Sequence, residues 1–388
     1  MIEPLRGWWY AGRAAVAPVR DALSEALKAR LYEDPYQALH IAFPQDISRS
    51  REKWQEWVRL RVVVQEPVPS FYAYSQTFHK VGEVRGPFVR VGLIGLLPVE
   101  ASVCPHEKTL EERESEIVEA LRFLRVQATP VHMLAEADWG EVYPILREAL
   151  VCPRLSVSSW DGVMHRIAPV QHRHTIQRLQ KAFQTARFYI ADGHHRWRGV
   201  RRAGLPYLLV FITDKADPTL SVPSAHRLLW SEGGVLERCE AYFDIQAAGS
   251  RVPLWREVVG LRHAVGVAAP NSRSWTLRLR PAYWELLDQK PLISWIHEWI
   301  LDPLLEQGGK LEFGRDWGDL MRRARTEGAW LFAMPPIEIS EVFRAADRQE
   351  PLPPKATYFF PKVLSGLIFY EEGLQNEQQN SRGDKSGT

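Results

Sequence analysis

Apolar positions recur along this chain at two spacings, and the change from one to the other marks out its elements. Phe71–Phe78 and Phe88–Leu97 are dense in aromatic and branched residues and are separated by Gly82 and Gly86-Pro87, which predicts two strands paired antiparallel. Before them lie a Trp-rich opening and helix-like stretches over Asp21–Leu31 and Trp54–Arg59. From Leu110 the period lengthens. Ile117, Leu121 and Leu124 share one face of a helix whose Glu and Arg residues form a solvated surface.

Leu155–Ser158, the Asp161-Gly162 turn and Val163–Ile167 then predict a hairpin. A helix over Thr175–Ala186 places Ile176, Leu179 and Phe183 on one side. The strand Phe188–Ala191, the helix His195–Ala203 closed by Gly204 and the strand Tyr207–Thr213 predict a β-α-β unit. Further on, Leu277–Leu279 and Thr357–Phe369 carry strand signals, and a helix over Leu292–Leu301 is expected to stop near Pro303. Gln375–Thr388 is polar, lacks aromatics and is expected to be disordered.

The expected class is therefore α/β (α+β mixed), divided as an N-terminal subdomain 1–150, a β-α-β core 151–235, a C-terminal subdomain 236–373 and a tail 374–388. No internal repeat is visible.

Composition narrows the function. With 388 residues, 45% of them hydrophobic, the chain can bury a sizeable core. Lys plus Arg number 49 against 47 Asp plus Glu, a net charge of +2, so the basic footprint of a dedicated nucleic-acid binder is missing. Cys104, Cys152 and Cys239 are far apart and odd in number, which suggests neither a disulfide framework nor a Cys-x-x-Cys site and fits a reducing cytoplasm. Met1-Ile2-Glu3-Pro4 has no signal pattern, and Val91–Val99 is too short to span a bilayer, so no membrane partner is expected. Gly309-Lys310 runs into Leu311, there is no Gly-x-Gly-x-x-Gly, and His106-Glu107 and His297-Glu298 each lack the second His of a zinc motif.

The chemistry concentrates in Asp192-Gly193-His194-His195-Arg196, at a strand end and helix start where backbone amides and the helix dipole favour an anion. Asp192 has a rival structural role as the cap of that helix. His106-Glu107 offers a phosphate donor and a general base, or alternatively a helix-start cap and salt bridge. The pairs His165-Arg166 and His226-Arg227 each present an imidazole and a guanidinium, although either alone is more often structural. Arg122, Arg125 and Gln127 read as surface residues of an amphipathic helix, Lys355 and Lys362 flank an aromatic run, and Trp160 and Trp197 adjoin motif residues.

Five ordered blocks also resemble a family: Pro105-His106-Glu107-Lys108-Thr109, Asp161-Gly162-Val163-Met164-His165-Arg166, Asp192-Gly193-His194-His195-Arg196, His226-Arg227, and Pro354-Lys355-Ala356-Thr357-Tyr358-Phe359-Phe360-Pro361-Lys362. They resemble the DUF ten-fifteen family and, through the Asp-Gly-His-His box, free-serine kinases of the ParB/sulfiredoxin-like superfamily. Where that family has Pro-Pro-Tyr-Asp-Val, this chain has Pro18-Val19-Arg20-Asp21-Ala22, which keeps Asp21.

The resemblance implies a ParB/sulfiredoxin-like α/β core with added N- and C-terminal subdomains. It also implies transfer of a phosphoryl group from pyrophosphate or a nucleotide to a small hydroxy metabolite, free L-serine above all. Asp192, Gly193, His194, His195 and Arg196 would then grip the donor, with His106, Asp161, His165, Arg166, His226, Arg227, Lys355 and Lys362 in the substrate site. Glu107 or Asp21 would be the base, with Asp192 a third catalytic carboxylate and Mg2+ the implied ion. The alternatives are a ParB-like nucleotide- or nucleic-acid-binding protein and an inactive ligand-binding or scaffold homologue.

Overall fold

A computed structural model describes residues 1–20, 23–80, 86–109, 111–222, 225–249, 254–258 and 261–373. It is a mixed α/β structure in two compact units: unit 1 holds Met1–Cys104, Thr109–Thr219 and the segment from Pro361, and unit 2 holds Pro105–Lys108 and Leu220–Phe360. The boundary expected at residue 150 falls inside unit 1 and that at 235 inside unit 2. The tail 374–388 lies outside the described residues.

Unit 1 is built on an eight-stranded sheet. Its order is Val103–Cys104, Arg187–Asp192, Val131–Glu136, Tyr207–Asp214, Phe88–Pro98, Phe71–Phe78, Met164–Val170, Leu155–Ser158. Phe71–Phe78 and Phe88–Pro98 pair antiparallel as expected, with Phe78 opposite Phe88 and Tyr72 opposite Ile94. The Leu155–Ser158 hairpin partner is also as expected.

Both faces of this sheet are covered. Phe71, Ala73, Leu93, Met133, Ile190 and Ile212 pack under helices contributing Val142, Leu146, Leu179, Phe183, Trp197 and Val200. The alternate residues Tyr72, Tyr74, Ile94, Leu96, Leu209 and Phe211 pack against Leu5, Trp9, Val363, Leu364, Leu367 and Ile368. Burial on both sides explains strands that read as continuous apolar runs rather than alternating ones.

Three expectations are corrected. The strands Arg187–Asp192 and Tyr207–Asp214 flank the connecting helix in sequence, but Val131–Glu136 lies between them, antiparallel to the first and parallel to the second. They therefore run in opposite directions, because local patterning sets the order of elements and not their partners. Thr357–Phe369 forms isolated bridges rather than a strand: Pro361 and Gly366 interrupt it, Gly366 at φ 84, and its apolar residues cover the sheet instead. The helix from Leu292 does not stop near Pro303. A π-helical turn, His297–Leu301, carries the chain into Asp302–Glu306, its wider ring bypassing the amide that proline lacks.

Unit 2 contains a six-stranded antiparallel sheet ordered Phe243–Ala247, Ser274–Leu279, Ala264–Ala268, Trp330–Ala333, His226–Trp230, Lys310–Gly314. Leu228, Leu254, Leu320 and Leu331 fill its core.

Close packing in unit 1 is most demanding at Gly92, where an added Cβ would lie 2.3 Å from the Ile212 carbonyl oxygen. Gly92→Ala is expected to destabilise unit 1 by about 1–3 kcal/mol, as overpacking does. Gly12→Ala, with nothing within 4 Å, should be neutral. Urea unfolding of both variants checks this, and equal midpoints would refute the packing argument.

Candidate functional site

In unit 1 the strand Arg187–Asp192 pairs residue by residue with Val131–Glu136 until Ile190 opposes Met133, after which the register shifts and Asp192 opposes His132. The extra residue is a bulge that re-aims the side chain. Gly193 follows with φ 101 and ψ 30 and starts the helix His194–Ala203, which no side chain caps. Glycine suits this position because the backbone is left-handed; a Cβ would also lie 2.9 Å from the Arg196 guanidinium and push that side chain aside.

Asp192 therefore does not cap its helix. Its Oδ2 accepts from Arg196 Nη2 at 2.6 Å and its Oδ1 accepts from the Lys362 ammonium. Burial alone would raise its pKa, but the Lys362 and Arg196 cations outweigh that and hold the carboxyl well below the usual range. Both cations are fixed in turn. Arg196 Nη1 donates to the Thr129 carbonyl at 3.1 Å and to Pro130, and the Lys362 carbonyl accepts from Gln76 Nε2 at 3.0 Å. Beside this group His132 is buried, its Nε2 2.9 Å from Thr213 Oγ1 and its ring stacked on Phe211. Burial, reinforced by Arg90, pushes its pKa down.

The row continues across the sheet. Arg90 is 0% exposed, donates to Thr219 Oγ1 at 3.1 Å and to the Thr219 carbonyl at 2.9 Å, and has its pKa lowered by burial to about 10. Gln76 stands opposite both Arg90 and His165 on neighbouring strands. His165 has both ring nitrogens engaged, Nδ1 with Tyr74 Oη at 2.6 Å and Nε2 with Ser159 Oγ at 3.0 Å. Burial lowers its pKa to about 4. Strand alternation sends Arg166 to solvent, and Asp161 is exposed in the hairpin turn, where it accepts from Ser159. His194 is buried and His195 half-buried.

In unit 2 three of the sequence blocks meet. The His106 carbonyl accepts from Leu352 N at 2.8 Å, and His106 Nε2 lies 2.9 Å from Thr357 Oγ1. Glu107 Oε1 accepts from Lys355 N at 3.3 Å. Arg227 is 0% exposed and donates to the carbonyls of Ala225 and Pro354 and to His297 Nε2, the last at 3.4 Å. Burial lowers its pKa to about 9 against the opposing pull of Glu107. His226, on the other face of its strand, accepts from Met334 N at 3.2 Å, and burial lowers its pKa to about 4. Asp21 lies outside the described residues.

Among the flanking candidates, Arg122 donates to the Arg202 carbonyl at 3.0 Å and is exposed, as is Arg125; Gln127 is not a surface helical residue but is buried in the short strand Val126–Gln127, where both ends of its amide serve Tyr207 and Leu209. Trp197 is in the core and Trp160 is exposed. Sequence reasoning missed Gln76, Arg90, His132 and His297. For Gln76, Arg90 and His132 the available signal was a strongly polar residue inside an apolar strand, which has to find a partner once both faces of the sheet are covered; His297, in a helical turn, carried no such signal.

The depressed histidines set a pH dependence. His165 binds its proton more weakly folded, at about 4, than at its ordinary 6.5, so the stability of its neutral form is complete above about 6.5 and is lost as pH falls toward 4. His226 acts in the same direction in unit 2. Asp192, with its carboxyl held low, gives stability that is present throughout this window and is lost only as pH falls below it. Urea midpoints should fall between pH 6.5 and 4, and His165→Gln should flatten that fall by about one proton's share. An unchanged slope in the variant would exclude His165 as a contributor.

A profile of the family described as protein of unknown function (DUF1015) matches residues 2–294. Among solved structures, the chain is similar to a conserved hypothetical protein from Pyrococcus furiosus (15% identity, 70% of this chain and 93% of that one, TM-score 0.40). It is similar to a free serine kinase in complex with AMP (14% identity, 70% and 90%, TM-score 0.41) and to SbnI with a C-terminal truncation from Staphylococcus aureus (11% identity, 72% and 83%, TM-score 0.39). No curated protein matches it. With a profile match spanning most of its length, the chain belongs to the DUF1015 family of proteins of unknown function.

Proposed function

We propose that the protein is a small-molecule phosphotransferase that moves a phosphoryl group from pyrophosphate or a nucleotide to a small hydroxy compound, free L-serine foremost. The observation that carries this reading is the Asp192 arrangement: one carboxylate held between the Lys362 ammonium and the Arg196 guanidinium, immediately before a helix start that no side chain caps. Charge placed at this turn is weakly screened by solvent, and the helix dipole favours an anion there. Donor phosphate oxygens would complete it, with Gly193, His194 and His195 contributing at the helix start and Lys362 supplying a point charge.

The roles differ from a simple list of grips. Arg196 is tied to Asp192, Thr129 and Pro130, which makes it a positioning group for the turn. Asp192, held ionised, is a weak base and serves charge balance; the proton acceptor in this reading is Glu107, or Asp21. Mg2+ does not fit at Asp192, since both carboxylate oxygens already accept from cations. Mg2+ would instead arrive as the companion of the donor phosphates. A second reading, a homologue that binds ligand without turnover, is favoured by the engagement of Arg196 within the protein.

The decisive assay incubates the protein and Mg2+ with L-serine and, in turn, pyrophosphate, ADP, AMP and ATP, and detects phosphoserine. Turnover is expected with one of these donors. Lys362→Met should reduce it by about 10²–10³-fold through loss of charge stabilisation. Glu107→Gln should keep donor binding and lower turnover by about 10²–10⁴-fold. Donor binding with no phosphorylated product from any small hydroxy compound would instead establish the non-catalytic reading.

A further inference from the structure

Beside the helix His194–Ala203, unit 1 holds a cavity of about 310 Å³, at the lower end of the range of pockets that take small ligands. The apolar stripe of the helix Glu111–Leu124 builds one wall, because Ile117, Ala120, Leu121 and Leu124 recur three or four residues apart and share a face. At Gly199 the two helices come so close that an added Cβ would overlap the Ile117 side chain. Where the stripe reaches Ala120 it offers a methyl alone, and Ile41, Phe43 and Val131 line the space from other elements.

The polar groups of the wall are already engaged. Arg20 pairs with Glu116, Lys28 with Glu25 at 3.7 Å and Arg196 with Asp192 at 2.6 Å, so each charge on the wall has its opposite. The Tyr32 hydroxyl donates to the Phe43 carbonyl, Thr129 Oγ1 lies 2.7 Å from Ser365 Oγ, and the Gln127 amide serves Tyr207 and Leu209. Gln45, the last polar side chain of the wall among the described residues, is exposed. A polar guest would give up its water here for partners that are taken, whereas an apolar one releases water from an aliphatic wall without that cost. An apolar cavity of about 150 Å³ accommodates benzene, and this one offers about twice that volume.

We propose that this cavity binds the aliphatic body of a small molecule of about eight to twelve carbons, recognised by its apolar surface and with little regard to the charge of its head group. The site is independent of the phosphotransferase reading, and its test needs neither donor nor Mg2+.

Calorimetric titration of the full chain with 1-butanol, 1-hexanol, 1-octanol, octanoate and octylammonium is the test. Affinity should rise about 3- to 4-fold per methylene with a negative heat-capacity change, and the three eight-carbon compounds should agree within about 10-fold. Ala120→Trp and Ala42→Trp, on two separate helices, should each weaken octanol binding by at least about 10-fold while circular dichroism shows that the fold persists. Should one of them fail to fold, the other carries the test. Trp160→Ala, at an exposed apolar residue outside the cavity wall, should leave binding unchanged. No binding of octanol, no dependence on chain length, a preference beyond about 10-fold for either charged head group, or octanol binding that survives both cavity-filling substitutions or is lost in Trp160→Ala would overturn the proposal.

Discussion

A sheet covered on both faces leaves its polar side chains no water to turn to, and unit 1 is organised around that constraint. Six neighbouring strands of the eight-stranded sheet each place a polar group in one row: Asp192, His132, Thr213, Arg90, Gln76 and His165. In water each would be indifferent to its neighbours. Inside the protein an unpaired polar group costs about 1–3 kcal/mol, so the row persists only because its members bind one another or the chain that covers them. The imidazoles settle this by staying neutral, and Asp192 by taking two cations.

Unit 2 solves the same problem with one charge in place of a row. Arg227, wholly buried, gathers the Ala225 and Pro354 carbonyls and His297 around its guanidinium, and Glu107 supplies the opposing charge. Removing any one of these partners leaves a buried cation short of an acceptor, which is the expensive way to break such a group. That explains why residues far apart in sequence, 105–108, 226–227 and 354–357, share a neighbourhood: a buried guanidinium has to draw its acceptors from wherever the chain can bring them.

Much of this was legible from residue types. The Phe71–Phe78 and Phe88–Pro98 pair followed from branched and aromatic runs around a Gly-Pro turn, and Gly204, at φ 75, closed the helix it was expected to close. The mixed α/β class followed from the same elements. What sequence could not supply was long-range pairing. Nothing local places Val131–Glu136 between two strands that flank a helix, and nothing in Asp192-Gly193 announces a bulge that turns the carboxylate toward Lys362, 170 positions away. The paired motif His165-Arg166 also misled as a unit, because strand alternation sends one residue into the core and the other to solvent.

Gln76 shows where stability has been given up. It is 0% exposed, its Oε1 has no hydrogen-bond partner, and a leucine of similar volume would fit an apolar strand without that deficit. Its Nε2, however, holds the Lys362 carbonyl at 3.0 Å, and Lys362 carries one of the two cations that keep Asp192 ionised. Arg90, on the adjacent strand, has an equally unpartnered Nη1. Unit 1 leaves the indole nitrogens of Trp8, Trp9 and Trp54 unpartnered as well, so such a deficit does not by itself mark the row. What the row adds is a physical link: Gln76 holds the chain at Lys362, and the Lys362 ammonium holds Asp192 ionised at the strand end.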